Sequence, residues 1–227
     1  YSVTQHDYAV RELQPVNSKT GHPGVYRLLP RQSVAASYER QPDDPRVRQD
    51  VTLEVDDFGN VLAALSVAYP RRAARSEPGV SPGEAAAVGA VQATPLVRAT
   101  RSEYTVPLND PGLHPDDHRT PMGSRQTVAA MTWPGLPTAR LATWEEASSA
   151  WSAARANPVA ADVVPARDLD PTIPPTTASW RVTEERVLLF RSDDLTTLLP
   201  PGRLEPRALP GETYRLTLTD DQLTEVL

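Results

Sequence analysis

Apolar and polar residues alternate strictly in Val51-Thr52-Leu53-Glu54-Val55-Asp56, the period of a strand with one buried face. A second β-compatible run, Val61-Leu62-Ala63-Ala64-Leu65-Ser66-Val67-Ala68-Tyr69, follows after Asp57-Phe58-Gly59-Asn60. Gly59 and Asn60 tolerate positive φ, so the pattern predicts an antiparallel hairpin over 51–69 with its tip at Asp57 to Asn60. Val51, Leu53 and Val55 are expected to face a core. The second strand is apolar at nearly every position, which predicts cover on both faces and a place inside a larger sheet.

Around this hairpin the chain divides into stretches of different texture. Residues 1–75 read as β-rich. Residues 76–90 read as a surface loop or insertion of Ala, Ser, Glu, Pro and Gly, in which Pro78 and Pro82 are expected to stop a helix before Glu84 to Ala87 extends it. Residues 91–175 read as an irregular Pro/Ala-rich part that opens with strand-like composition from Val91 to Val106. It contains a helix at about 144–155, where Thr143 and Glu146 form a capping box and Trp144, Ala147, Trp151 and Ala154 recur at helical spacing. Residues 176–227 read as C-terminal strands, Arg181 to Phe190 and Thr213 to Leu218, running into the start of a helix at Asp220. Thr219 and Gln222 have capping-box spacing close to Leu227, and the chain opens on Tyr1 without Met. The expectation is a segment of a longer protein. The fold class expected is mainly β, an antiparallel sheet with one or two short helices.

Composition narrows the functional classes. Twenty-three basic residues against 29 acidic ones leave a net charge of −6, so nucleic acid is not an expected partner. The absence of cysteine removes disulfides, thiolate nucleophiles and cysteine-ligated zinc. No run approaches the roughly 18 apolar residues of a membrane span, and direct membrane insertion is not expected.

Several constellations have the residue types of a site. His114 and His118 flank Asp116 and Asp117, the donors of a zinc or iron site. Two histidines four apart share a face only on a helix, and Pro111, Pro115 and Pro121 argue against one, so a solvated loop is the reading preferred. His6 and His22 have no second ligand nearby in sequence. Acidic pairs at Asp43-Asp44, Asp56-Asp57, Asp116-Asp117, Asp193-Asp194 and Asp220-Asp221 could supply glycosidase carboxylates. Adjacent carboxylates in turns usually stay solvated and cap backbone, and that reading is preferred. Lys19, in Asn17-Ser18-Lys19-Thr20, follows no phosphate-cradling glycines, and no nucleophile elbow occurs. The Arg71, Arg72 and Arg75 cluster reads as loop solvation. Trp133 and Trp180 are candidates for an exposed sugar-binding face, whereas Trp144 and Trp151 share a helical stripe and read as core. No catalytic, cofactor-binding or metal-binding residue is therefore assigned.

The hairpin and its flanks, Asp44-Pro45-Arg46-Val47, Leu53-Glu54-Val55-Asp56-Asp57-Phe58-Gly59-Asn60-Val61-Leu62 and Tyr69-Pro70-Arg71-Arg72, resemble the middle, C-terminal-side region of the B component of bacterial insecticidal toxin complexes, the TcdB-like Tc toxin proteins. Tyr1-Ser2-Val3-Thr4, Leu13-Gln14-Pro15, Pro30-Arg31, Tyr38-Glu39-Arg40, Tyr104-Thr105, Arg119-Thr120-Pro121, Leu189 to Leu195, Leu204-Glu205, Ala208-Leu209-Pro210 and Tyr214-Arg215-Leu216 are similar in the same order. The likeness is weakest from about Met122 to Pro175.

The resemblance implies a non-enzymatic structural segment. In that family the B component carries a region like the virulence protein SpvB and a β-propeller that docks the channel-forming A component. Its β-rich segments join the C component in a hollow, Rhs-like shell that holds the toxic C-terminal part of C until delivery through the A channel. The resemblance implies the C component as partner, A as an indirect one, no cofactor, and a secreted complex assembled in the bacterial cytoplasm. It also implies that Asp56-Asp57 and Asp193-Asp194 are turn residues of a scaffold. The alternatives from the residues alone are an extracellular glycan- or cell-surface-binding β-domain and a glycoside hydrolase-like enzyme.

Overall fold

A computed structural model of the chain describes residues 1–17, 19–38, 43–72, 79–109, 112, 115–158 and 178–216. It contains β1 (Ser2–Gln14), β2 (Val25–Ser37), β3 (Arg46–Val55), β4 (Val61–Ala68), α1 (Pro82–Gln92), β5 (Leu96–Tyr104), β6 (Gly123–Thr132), α2 (Trp144–Arg155), β7 (Ser179–Phe190) and β8 (Pro210–Arg215). The eight strands form one sheet in sequence order, each antiparallel to the next. The described residues are thus mainly β, as expected, with two helices, of which α2 is the predicted one.

The predicted hairpin is β3–β4. Its reversal is fixed by Asp56, whose Oδ1 accepts the N–H groups of Phe58 and Asn60 at 2.9 and 2.8 Å, while Gly59 sits at φ +92°. A bulge in β3 near Thr52 and Glu54 breaks the expected alternation. Glu54 pairs with Ala63 and meets Trp151 and Arg155 of α2, and of Val51, Leu53 and Val55 only the first two join the main core. The cover of β4 differs from expectation. Ala63, Leu65 and Val67 are buried, but Ala64 and Ser66 on the opposite face are only half-buried and Ala68 is exposed. The continuous apolar run arises because the open face carries small alanines, not because a second layer covers it.

What covers the buried face is α2. Thr143 and Glu146 close the predicted capping box, and Ala147, Ala150, Trp151 and Ala154 pack on Val51, Leu65, Val67, Val97, Ala99 and Met131. Indole donors fix the helix to β3: Trp144 Nε1 donates to the Thr52 carbonyl at 2.8 Å and Trp151 Nε1 to Glu54 at 3.1 Å. A smaller core of Phe190, Leu204 and Ala208 seals the β7–β8 end. There Arg119 Nη1 donates to the carbonyls of Pro206 and Ala208 at 3.1 and 2.9 Å, stapling the loop before β8.

Two regions of predicted irregularity are regular. The stretch 76–90 contains the first part of α1, since Pro82 occupies the first turn, where its missing N–H is no loss, and Ser81 and Glu84 form a capping box. The stretch 91–175 contains β5 and β6 in addition to the predicted helix. β6 escaped notice because Ser124-Arg125-Gln126-Thr127 lacks apolar alternation at its start. The sheet draws strands from three of the four sequence stretches, 76–90 supplying only part of α1. The helix expected at Asp220 lies outside the described residues.

Candidate functional site

The residues with candidate chemistry are scattered. His114 lies outside the described residues; Asp116, Asp117 and His118 are exposed on the segment before Arg119. Among the described residues no group of three or more His, Asp or Glu side chains could hold a metal ion. His6 is exposed on β1 near the Tyr8 ring, and His22 sits in an isolated bridge with Asn17.

Asp57, Asp193 and Asp194 are engaged by arginines, backbone N–H groups and hydroxyls of turns and neighbouring segments. Asp57 accepts Arg11 at 2.7 Å while its carbonyl accepts Arg27 Nη1 at 2.7 Å, tying the hairpin tip to β1 and β2. Asp193 accepts the Arg207 N–H at 2.7 Å and its own N–H donates to Glu205 at 2.7 Å. Hydrogen bonds from the Ser192 hydroxyl, then from the Thr196 backbone and hydroxyl, hold the Asp194 carboxyl down at about 2. That is the opposite direction from a general acid, which needs a raised value. Asp220 and Asp221 lie outside the described residues.

The Asp44 and Arg71-Arg72 motifs meet in space. The Asp44 carbonyl accepts Arg71 Nη1 at 2.7 Å, its carboxylate accepts the Arg72 N–H at 3.0 Å, and Arg71 and Asp44 form a buried ion pair at 3.9 Å. Arg71 is thereby a brace between the start of β3 and the end of β4, not loop solvation; Arg75 lies outside the described residues.

The tryptophans do not form an exposed platform. Trp133 and Trp180 are partly buried against the main core, and the Trp180 ring meets Trp151 edge to face with centroids 5.6 Å apart. The predicted assignment of Trp144 and Trp151 to the core agrees with the packing of α2.

The structural features that can engage other molecules belong to the sheet. Direct cross-strand partners share a face, so register sorts the residues. One row, Gln32, Val51, Leu65, Ala99, Ala129 and Val182, faces α2. The adjacent row, Ser33, Asp50, Ser66, Arg98, Ala130 and Arg181, faces away from it. A further row on that side reads Ser102, Gln126, Arg186 and Arg215. The face opposite α2 is therefore built from small polar residues, alanines and arginines, and it forms a shallow groove of about 560 Å³ lined by Arg48, Asp50, Ser66, Arg98, Thr100 and Glu184, among others.

The outer edge of β1 is unpaired among the described residues. The Tyr38 N–H donates to the Tyr1 carbonyl at 2.9 Å, so alternation turns the main-chain groups of Ser2, Thr4 and His6 outward. The far half of the β1–β2 ribbon extends past β3 and exposes Tyr8, Val10, Tyr26 and Leu28, whose relative exposures run from 54% to 67%. An edge of this length carries no proline, which is an open template for a further strand.

Residues 1–105 match the family of the insecticide toxin TcdB middle/C-terminal region. That stretch covers β1 to β5 and both halves of the Asp44–Arg71 brace. A comparison with curated proteins finds none that matches.

Proposed function

We propose, from the premise that residues 1–105 form a TcdB-like middle/C-terminal region of an insecticidal toxin complex, that the chain is a structural, non-enzymatic segment of the B component. In this reading it contributes wall to the hollow shell that encloses the toxic C-terminal part of the C component, for delivery through the A-component channel. The resemblance of the segments after residue 105 to the same family is part of the proposal.

The observation that carries the reading is the sheet itself. A shell wall needs long, continuously paired strands, one face that is packed and one that stays wet, and edges that continue into neighbouring sheet. The unbroken eight-strand meander has α2 on one face only and a 13-residue edge at β1 that is unpaired among the described residues. Among the described residues Asp44, Asp56, Asp57, Asp193 and Asp194 are engaged in turns and braces, which supports an architectural contribution to toxicity in which no residue here is catalytic and no cofactor is required. The partners are the C component directly and the A component through other parts of the parent chain. The complex is secreted after assembly in the producing bacterium.

The test is co-expression of the parent B component with C. Thr4→Pro removes an outward N–H from β1 without touching the β1–β2 ladder. Loss of the B–C complex on size exclusion, with C rendered protease-sensitive, is the expected outcome. Asp116→Ala, His118→Ala, Asp193→Ala and Asp194→Ala should alter potency only in proportion to assembly. A variant among these that assembles at wild-type yield yet loses a chemical step, such as cleavage of C, overturns the architectural reading.

A further inference from the structure

The arginines on the open face are not evenly matched by carboxylates. Arg98 and Arg215 both reach Glu184, at 3.7 and 3.3 Å, so one carboxylate is shared between two guanidinium groups. Arg181 and Arg186 project from the same face of β7, and among the described residues neither side chain has an ion pair or hydrogen bond. Four arginines thus share this face with Glu184 in a chain whose net charge is −6.

The arrangement is also locally unfavourable. Arg186 and Arg215 are direct cross-strand partners. The Leu216 N–H donates to the Glu185 carbonyl at 2.8 Å, which makes the neighbouring Arg186–Arg215 position a non-hydrogen-bonded pair, the type in which side chains stand closest. Like charges placed there oppose sheet formation. Nothing in the described fold compensates Arg186. Both side chains lie on the surface, with Arg215 at 67% exposure.

We propose that the β7–β8 end of the open face is a docking surface for an acidic stretch of another polypeptide, whose carboxylates take the forks of Arg186 and Arg215 and reach Arg98 and Arg181. Guanidinium groups match carboxylates in bidentate geometry and are the residues suited to that recognition. A polypeptide fits better than a nucleic acid. The neighbours Ser102, Gln126 and Thr213 supply hydrogen bonds but no ring for base stacking. Ala130, Ser102 and Thr213 beside the arginines are small, so an extended chain can lie along the sheet. This inference stands on the charge geometry alone and holds or fails independently of the shell reading.

The probe is fluorescently labelled poly-L-glutamate, titrated with the 227-residue chain and read by anisotropy. Binding is expected at about 50 mM salt and should be lost at about 500 mM, where screening shortens the reach of surface charges. Arg186→Gln combined with Arg215→Gln should weaken it about tenfold or more, and Arg203→Gln, on the loop before β8, should leave it unchanged. Relief of the like-charge pair should leave the double variant with a thermal midpoint at or above that of the wild type, so loss of binding cannot be put down to unfolding. Absence of binding at low salt, equal binding by the double variant, a lowered midpoint in that variant, or poly-uridylate bound as tightly as polyglutamate each overturns the proposal.

Discussion

The Tyr69 hydroxyl donates to Gln49 Oε1 at 2.6 Å, and this bond sits at the centre of a polar knot inside the main core. Gln49 Nε2 donates to the Ala142 carbonyl and to Gln32 Oε1, both at 2.9 Å, while the Ala142 N–H donates to the Tyr69 oxygen at 2.7 Å. Gln49 is 1% exposed. The knot ties β2, β3 and the end of β4 to the segment that enters α2, so the sheet and its covering helix are registered by hydrogen bonds as well as by packing.

Tyr69→Phe removes the partner of both Gln49 Oε1 and the Ala142 N–H, and unpaired buried polar groups are costly. A loss of about 1–3 kcal/mol in urea unfolding is expected, and a change under about 0.5 kcal/mol would show that the knot contributes little. Burial raises the Tyr69 pKa above its ordinary value of 10.0, outweighing the lowering contribution of the Ala142 N–H. A raised folded value means stability present below the unfolded value and lost as pH climbs through the folded one. Wild type should therefore lose stability above about pH 10 more steeply than Tyr69→Phe, as measured by chemical denaturation across alkaline buffers.

The Asp44–Arg71 brace is buried on both sides, with side-chain exposures of 9% and 6%. Arg71→Ala leaves the Asp44 carboxylate without its charge partner in the interior, a change that typically costs about 3–5 kcal/mol. The double variant Asp44→Asn with Arg71→Ala should recover part of that loss. Additive losses in the double-mutant cycle would contradict a direct coupling.

At acid pH two exposed carboxylates with strongly lowered values, Glu146 and Asp194, contribute to the expected response. Glu146 is held at about 2, chiefly by Arg140 and then by the Thr143 backbone N–H, and Asp194 is held at about 2 by the Ser192 turn. Depressed folded values give stability that is present above the unfolded values of 4.5 and 3.8 and is lost as pH falls towards 2. The thermal midpoint should decline across that window, and Glu146→Gln or Asp194→Asn should each flatten the decline while lowering the midpoint near neutral pH. An unchanged slope in both variants would remove these two groups as its cause.

Local rules read the hairpin and α2 correctly because their determinants are local. Asp56 and Gly59 carry the turn chemistry within five residues, and Thr143 with Glu146 caps a helix whose apolar stripe is contiguous. α1 differs from the expected loop because Pro82 behind the Ser81 cap opens a helix rather than breaking one. Gln49 carried a faint signal, a polar residue in phase with Val47 and Val51, but its partners lie 17, 20 and 93 residues away. The open-face arginines gave no signal at all, since Arg98, Glu184 and Arg215 come together only through pairing across β5 to β8.

By itself, then, the sequence determined the β-rich class, the β3–β4 reversal, the capped helix and the likeness to an insecticidal toxin family, because period, turn residues and motifs act over a few residues. Tertiary structure alone decided that the strands form one uncrossed meander and that α2 covers one face while leaving β4 open on the other. It also decided that Asp44 meets Arg71 and that Arg186 stands opposite Arg215. Those relationships depend on strand register, and register is set by how whole faces pack against one another.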